Sequence, residues 1–287
     1  MKRLFFYVVL AAVSLISCKK SEEPQQKEPI HYIRAMSYNV RYATSSDGAN
    51  AWDKRKHGTK AMLNAIQIDV FGVQEALQSQ VNYISEQLPE YRNVGVGRDD
   101  GKTKGEFMSI FWNTKTIEML DWGTFWLSPT PDQPSYGWGA GCRRTATWAL
   151  MRHKNSGNQF VYINTHLDHA SAKARSEGLK LVIRKFKELN PYGYPMILTG
   201  DFNVTPDDSC LDELDTKMQS ARNIAASTDN YTTYNSWGNK SLEDSFIIDY
   251  IYVDGFSSVP FYRTITEPYG GVQYLSDHYP IVAVLCF

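Results

Sequence analysis

The 287-residue sequence predicts a single α/β domain in which two β-sheets pack together and helices cover their outer faces. Two observations carry this prediction. Strand-like apolar segments mix with segments of helical spacing but do not alternate strictly with them, which disfavours a doubly wound parallel sheet. No second linker, internal repeat or low-complexity block interrupts the chain after residue 30, so one domain over residues 31–287 is the simplest organisation.

The hydrophobic pattern places the individual elements. Strands are expected at residues 33–40, 70–73, 107–112, 145–152, 160–164, 196–198, 247–253, 261–266 and 281–285. Helices are expected at residues 54–67, 77–88 and 172–189, the second of them stopped by Pro89. Residues 121–141 read as a long loop rich in Trp, Tyr, Pro and Gly. Its aromatic residues either form a rim over a binding site or simply pack the loop down.

The N-terminus has the features of an export signal. Lys2 and Arg3 precede an apolar run over residues 4–16, which is shorter than the ~20 residues of a membrane-spanning helix. The run ends in Leu-Ile-Ser-Cys18, which resembles a bacterial lipobox. We therefore predict a lipoprotein signal peptide at residues 1–17 and a lipidated Cys18 with a flexible tether at residues 18–30, rich in charge and poor in apolar residues. The protein is then extracytoplasmic and lipid-anchored, periplasmic or on the cell surface; the alternative is a plain secretory signal with a chance cysteine.

Charge and cysteine content limit the possible functions. Removing residues 1–17 leaves 28 basic residues (30 minus Lys2 and Arg3) against 31 acidic ones, a net charge of −3. This is not the basic surface of a general nucleic-acid binder. Besides Cys18 there are three cysteines, Cys142, Cys210 and Cys286. Their odd number and the absence of CxxC spacing predict neither a disulfide framework nor a zinc site.

Five segments share a pattern in which polar residues lie at the end of an apolar or β-branched run. They are residues 37–41, 73–75, 164–169, 199–203 and 276–280. Polar groups at strand ends can meet at one edge of a sheet sandwich and form a site there. The chain lacks a Gly-x-Ser-x-Gly nucleophile and a Gly-x-x-x-x-Gly-Lys-Ser/Thr phosphate loop. Carboxylates, amides and imidazoles instead suit a hard cation and attack of water on a phosphate ester.

The same segments resemble the ordered motif set of the endonuclease/exonuclease/phosphatase superfamily. The residues that carry the resemblance are Asn39, Glu75, Gly-Asp-Phe-Asn at 200–203, Ile-Asp-Tyr at 248–250 and Ser-Asp-His at 276–278. The resemblance covers residues 33–287. Within the superfamily, the sequence is most similar to a bacterial lipoprotein branch. It implies the DNase I-like fold, a four-layer α/β/β/α sandwich of two packed mixed β-sheets flanked by helices.

The resemblance also implies roles for individual residues. The catalytic set is His166, Asp201, Asn203, Asp249 and His278, and the metal set is Asn39, Glu75 and Asp277, with Mg²⁺ or Mn²⁺ as the cofactor. Asp249 lies within an apolar strand segment, where a charge is costly unless it is paired. We expect Asp249 to hold the ring of His278 and to raise its pKa. Whether Asp201 or His278 is the general base stays open.

A third group of residues is expected to bind substrate. Its members are Arg143, Arg144, Asp168, His169 and Trp138, among which the arginines can grip an extra phosphate or a carboxylate. Trp52 and Arg55 are expected on another part of the rim, whereas His31, His57 and His153 are expected at the surface.

The reaction predicted is metal-dependent hydrolysis of phosphate esters by a monomeric enzyme. A small phosphorylated compound or a lipid headgroup is the favoured substrate, since the charge is near neutral and the protein is expected at a membrane. An extracytoplasmic nuclease that stacks bases on the aromatic loop is the first alternative. A non-catalytic binding lipoprotein on the same scaffold is the second, although such proteins usually lose charged catalytic residues.

Overall fold

The structure, a computed structural model, describes residues 31–287. The predicted signal peptide (1–17) and the lipidated cysteine with its tether (18–30) lie outside the described residues. Within residues 31–287, no helix has the length and apolar character needed to span a bilayer.

Twelve strands among the described residues form two six-stranded sheets. In chain order the strands are β1 (Tyr32–Asn39), β2 (Val70–Gln74), β3 (Tyr91–Val94), β4 (Ile110–Asn113), β5 (Ile117–Trp126), β6 (Thr145–His153), β7 (Gln159–His166), β8 (Met196–Asp201), β9 (Gln219–Ser220), β10 (Asp249–Asp254), β11 (Ser258–Thr264) and β12 (Ile281–Cys286). Sheet one has the order β11-β12-β1-β2-β4-β3, and sheet two has the order β5-β6-β7-β8-β10-β9. Both sheets are mixed, because β1–β2 and β7–β8 are parallel pairs among antiparallel neighbours.

Five α-helices belong to the described residues, and the three longest cover the outer faces of the two sheets. The five are α1 (Trp52–Ile66), α2 (Gln78–Gln87), α3 (Ala172–Leu189), α4 (Asp212–Asp215) and α5 (Ala221–Ile224). Helix α3 has the predicted bounds, because the Ser171 hydroxyl caps it by accepting from the backbone N–H of Ala174 (3.1 Å). Its apolar side, which includes Leu179 and Val182, is buried against sheet two.

The apolar core has three layers. One lies between the sheets and includes Ile33, Val70 and Ile251. A second lies between α3 and the outer face of sheet two, and a third lies between α1, α2 and the outer face of sheet one. The predicted four-layer α/β/β/α sandwich is therefore confirmed.

The pairing of the central strands of sheet two aligns three polar residues. In the parallel pair β7–β8, His166 is the partner of Asp201. In the antiparallel pair β8–β10, Asp249 is the partner of Asp201. Since a slip of one residue turns every side chain of a strand to the opposite face, this register determines that the three side chains lie side by side.

A buried amide joins the two sheets beneath this row. Asn164 of β7 donates from Nδ2 to the carbonyl oxygen of Val73 in β2 (2.8 Å). Its Oδ1 accepts from Gln74 Nε2 (2.7 Å) and from the Thr199 hydroxyl (3.1 Å). The contact requires glycine at position 72, where a Cβ atom would lie 2.4 Å from the Asn164 side chain. The hydrogen bonds therefore fix the sheets at close range near their strand ends.

Several predictions about the segments are wrong. The expected loop at 121–141 is a strand as far as Trp126, because residues 121–126 pair with β6. Strands β3 and β9 were not predicted, since they are short. His153 is 6% exposed rather than a surface residue, and its Nδ1 lies 2.9 Å from the Ser156 hydroxyl. Arg55 is 1% exposed rather than on a rim, and it donates to the carbonyl oxygens of Val40 and Leu275.

We expect Asn164→Leu to lower the free energy of unfolding by about 3 kcal/mol, because it strips hydrogen-bond partners from several buried polar groups. Urea denaturation measures this change. Asn158→Leu is the matched control, since Asn158 precedes the same strand but is exposed. A loss for Asn164→Leu no larger than that of the control would contradict an inter-sheet role.

Candidate active site

One cavity of about 580 Å³ opens where the polar strand ends of both sheets meet. Its lining consists of Arg41, Tyr42, Glu75, Arg98, Glu106, Cys142, Arg144, His166, His169, Asp201, Asn203, Tyr234, Phe246, Ile248, Asp277 and His278. All five polar segments of the sequence contribute to the lining or lie directly behind it. The two sheets supply opposite walls, so neither sheet alone forms this cavity.

Asp201 lies at the centre of the polar side chains. Its Oδ2 atom is 3.5 Å from His166 Nε2 and 3.7 Å from His278 Nε2. Its Oδ1 atom accepts from the backbone N–H of Asn203 (2.9 Å). Burial, together with the negative charges of Asp249 and Glu75, raises the pKa of Asp201 to about 7, against the opposing effect of His278.

Asn39 bridges the acids of the two sheets. Its Nδ2 donates to Glu75 Oε1 (3.0 Å) and to Asp201 Oδ2 (3.0 Å). Its Oδ1 accepts from the backbone N–H of Arg41 (2.9 Å). The side-chain oxygen, which was predicted as a metal ligand, is therefore engaged by the backbone, and Asn39 acts on the acids as a donor.

His278 is the positively charged group of the site. Its Nδ1 donates to Asp249 Oδ2 at 2.8 Å. Burial opposes the charged ring, but the carboxylates of Asp249 and Asp201 outweigh it and raise the pKa of His278 well above its usual value. The expected contact between Asp249 and the ring of His278 is present. The pairing also explains how Asp249 is accommodated inside a buried strand.

His166, unlike His278, is neutral. Asn203 Nδ2 donates to the carbonyl oxygen of Leu167 (3.0 Å) and points at His166 Nε2 (2.9 Å). The carbonyl contact fixes the orientation of the amide, so Nε2 of His166 is an acceptor and carries no proton. Burial and the positive charges of Arg144 and nearby side chains lower the pKa of His166 well below its usual value. The neutral ring therefore cannot act as a general acid.

The residues present fit a divalent cation. Glu75, Asp201 and His278 each offer a ligand atom, and these atoms lie within 4.8 Å of one another. Asp277 faces them, and burial raises its pKa, with a further contribution from the charge of Glu75. Glu75, Asp201 and Asp277 outnumber the cations closest to them, His278 and Arg41, and hard carboxylate oxygens suit Mg²⁺ or Mn²⁺. Glu75 is common to this group and to the predicted metal set; the charged ring of His278 has no lone pair for a cation, so the carboxylates of Glu75 and Asp201 remain as ligands.

Three residues around the site have a left-handed backbone. The φ angles are 54° at Arg41, 61° at Glu75 and 54° at Asn203. Such φ values are rare for residues other than Gly and Asn and cost about 1 kcal/mol or more at Arg41 and Glu75. The surrounding hydrogen bonds hold them, and the conformation turns Glu75 and Asn203 toward the cavity at the ends of β2 and β8.

The predicted substrate-binding residues divide into two groups. Arg144 and His169 line the cavity, and Arg144 Nη2 donates to His169 Nδ1 (2.9 Å). Arg143, Asp168 and Trp138 do not line the cavity. Arg143 is turned toward Asp99, 3.6 Å away.

The packing shows why Asp168 and Trp138 lie outside the lining. The carboxylate oxygens of Asp168 accept hydrogen bonds from Arg144 (3.3 Å) and from the backbone N–H groups of Gly141, Ala170 and Ser171. It therefore positions Arg144 instead of contacting the cavity. Trp138 packs against the core layer under α3.

The sequence prediction missed several lining residues. Arg41 lies 3.9 Å from Glu75 Oε2 and 3.9 Å from Asp277 Oδ2. Arg98 and Glu106 form an ion pair at 2.7 Å on the segment between β3 and β4. That segment reads as a polar turn, without an apolar run ending in polar residues, so the pattern that found the other segments was absent.

Comparisons with known proteins agree with this geometry. The sequence model of the Endonuclease/Exonuclease/phosphatase family matches residues 36–278. A family protein of that description from Bacteroides thetaiotaomicron is 36% identical, with a TM-score of 0.86 over 91% of this chain and 99% of that chain. A mannosyl-6-phosphatase from Bacteroides thetaiotaomicron VPI-5482 is also 36% identical, with a TM-score of 0.85 over 89% of this chain and 100% of that chain.

A more distant likeness concerns the fold alone. The human Nocturnin catalytic domain, solved with a bound sulfate anion, is 19% identical, with a TM-score of 0.69 over 89% of this chain and 97% of that chain. No curated protein sequence matches the chain.

We expect Asp249→Asn to lower the pKa of His278, because the change removes the largest influence that favours the charged ring. An NMR pH titration of the imidazole resonances measures this shift. Asp254→Asn is the matched control, since Asp254 is the exposed acid at the other end of β10. An unchanged pKa of His278 in Asp249→Asn would show that Asp249 does not stabilise the charged ring.

Proposed function

The chain belongs to the endonuclease/exonuclease/phosphatase family, and on that premise we propose that it is a divalent-metal-dependent phosphomonoesterase that acts on phosphorylated sugars. The observation that carries the proposal is the meeting of Glu75, Asp201 and His278 in one cavity. These groups come from both sheets and have no evident role in stabilising the fold, since buried acids in contact are costly.

The residues of the cavity divide the work of hydrolysis. Glu75 and Asp201, with Asp277 close by, would hold Mg²⁺ or Mn²⁺, which would supply positive charge to the phosphoryl oxygens. Asp201 accepts the proton of the attacking water, since its carboxylate lies at the centre of the cavity, 3.5 Å from His166 Nε2 and 3.7 Å from His278 Nε2. His278, charged and held by Asp249, donates from Nε2 to the phosphoryl group and stabilises the charge that grows there.

His166 and Asn203 act as neutral partners in this scheme. The Asn203 amide holds the His166 ring through Nε2, so the ring keeps one orientation beside Asp201. Because Nε2 accepts from Asn203, the His166 ring has no free lone pair with which to compete with Asp201 for the proton of water. Loss of either side chain therefore disturbs the position of Asp201 as well as substrate binding.

The substrate class rests on the similarity to the mannosyl-6-phosphatase, which extends over the full length of that protein. It agrees with the size of the cavity, since about 580 Å³ holds a monosaccharide phosphate. The nuclease alternative has less support, because the likeness to Nocturnin extends to the fold only and the net charge without residues 1–17 is −3. The lipid anchor at Cys18 and an extracytoplasmic location belong to the same proposal.

In the presence of Mg²⁺ or Mn²⁺ we expect the protein to release phosphate from mannose 6-phosphate and from p-nitrophenyl phosphate, and a chelator to abolish the activity. Phosphate release over a panel that includes plasmid DNA, RNA, inositol phosphates and sphingomyelin measures the preference. Nicking of DNA without hydrolysis of any phosphate monoester would contradict the phosphatase proposal and favour a nuclease.

We expect Asp201→Ala and His278→Ala each to lower kcat by about 10²- to 10⁴-fold, the usual contribution of a positioned proton-transfer group. Asp207→Ala is the matched control, since Asp207 is an exposed acid shortly after Asp201. Circular dichroism checks that each variant is folded. Activity of the folded Asp201→Ala variant at the level of the control would exclude Asp201 from the chemistry.

Metal should stabilise the protein more at about pH 8 than at about pH 5. Because the pKa of Asp201 is raised to about 7, the folded metal-free protein binds more protons than the unfolded chain between about pH 4 and pH 7, and its stability falls as pH rises through that window. A cation replaces the proton, so we expect Mg²⁺ to raise Tm by about 5 °C at the higher pH. Thermal melts measure the shift, which Glu75→Gln should reduce; an equal shift in both proteins would place the cation elsewhere.

A further inference from the structure

We propose that the Arg98–Glu106 ion pair is the part of the cavity that recognises the hydroxyl groups of the sugar, and so determines substrate specificity. This inference rests on the proposed function and adds the residues that select the substrate. Neither residue belongs to the groups assigned to the chemistry, yet both line the same cavity as His278 and Asp201.

The ion pair has a fixed position. Arg98 Nη1 donates to Glu106 Oε2 at 2.7 Å, and the side chains are 11% and 15% exposed. The backbone N–H of Arg98 donates to the carbonyl oxygen of Glu106 (3.0 Å), which closes the segment into a hairpin. Trp126 Nε1 donates to the carbonyl oxygen of Arg98 (2.7 Å) and ties the hairpin to β5. A rigid pair of this kind binds ligand without a large loss of side-chain entropy.

The charges of the pair suit a neutral polar ligand group. An unpaired carboxylate beside a phosphate-binding site would repel the substrate, but Arg98 neutralises Glu106. Glu106 Oε1 makes no hydrogen bond to the described residues, so it remains free as an acceptor. The groups that can donate to it are hydroxyls, since phosphate oxygens carry no proton to give when they are ionised. A sugar presents such hydroxyls at a fixed distance from its phosphate.

The remaining wall of the cavity is consistent with a sugar ring. Tyr42, Tyr234 and Phe246 line it, and the rings of Tyr234 and Phe246 lie 5.9 Å apart. Tyr234 also lies 5.0 Å from the ring of His278, so the aromatic wall reaches the reaction centre. Aromatic faces pack against C–H groups, while hydroxyls need polar partners. A ligand with both kinds of surface matches a cavity that has an aromatic wall and a hydrogen-bonding ion pair.

A role for Glu106 in binding a second cation is less consistent with these contacts. Arg98 occupies one carboxylate oxygen at 2.7 Å, and a positive guanidinium at that distance opposes a cation. Glu106 is also outside the group of described residues whose ligand atoms lie together, which consists of Glu75, Asp201 and His278.

The test compares two substrates that share the phosphate but differ in hydroxyl groups, mannose 6-phosphate and p-nitrophenyl phosphate. For Glu106→Ala we expect kcat/KM for mannose 6-phosphate, divided by kcat/KM for p-nitrophenyl phosphate, to fall about 10- to 100-fold. This is the effect of losing one hydrogen bond to a charged group. The fall should come from KM for the sugar phosphate. Deoxy analogues of mannose 6-phosphate give a second readout: one hydroxyl that the wild-type protein requires should no longer matter in Glu106→Ala.

Asp99→Ala is the matched control, because Asp99 is an exposed acid on the same hairpin that pairs with Arg143 outside the cavity lining. We expect its substrate ratio to equal that of the wild-type protein. Two outcomes for Glu106→Ala would overturn the inference while leaving the phosphatase proposal intact. One is an equal loss of kcat/KM on both substrates, and the other is a response to every deoxy analogue that matches the wild-type response. Hydrolysis of p-nitrophenyl phosphate but of no sugar phosphate by the wild-type protein would overturn the proposed substrate class and this inference together.

Discussion

The pairing of Asp201 with its two strand neighbours is the constraint on which the site depends. Asp201 lies between His166 on the parallel neighbour β7 and Asp249 on the antiparallel neighbour β10. Two carboxylates directly opposite each other on neighbouring strands repel. His278 offsets this repulsion, because it lies 2.8 Å from Asp249 and 3.7 Å from Asp201. The charge that balances the strands is thus the same charge that the proposed chemistry uses.

The two sheets are held at the distance that this arrangement requires. Asn164 and Gln74 join them below the site, and Asn39 joins Glu75 to Asp201 across its floor. An apolar contact would not specify these positions, because it has no direction, whereas a buried amide loses its partners if the sheets shift. The left-handed backbone at Glu75 is tolerated within the same network. The backbone conformation at Glu75 therefore lowers the stability of the fold at the place where several polar groups converge.

The sequence predicted much of the site because its chemistry-bearing residues follow apolar strands. Asp249 shows this most clearly, since a charge inside an apolar run requires a partner, and His278 is that partner. Arg98 and Glu106 could not be found in this way, because their segment is polar throughout and the pair forms only when the hairpin closes. Arg143 and Arg144 are adjacent in sequence, yet their side chains point to different surroundings, Asp99 in one case and the cavity with Asp168 in the other.

The sequence by itself determined the periodicity of the strands, the extent of helix α3 and the identity of the acids and imidazoles that end the strands. These follow from local patterns of burial and capping, which extend over a few residues. Only the tertiary structure decided that His278 is charged while His166 is neutral, and that Asn39 faces the acids with its amide nitrogen. Those properties depend on electrostatic neighbours from distant parts of the chain, since charge interactions act through space and are strong only where water is excluded.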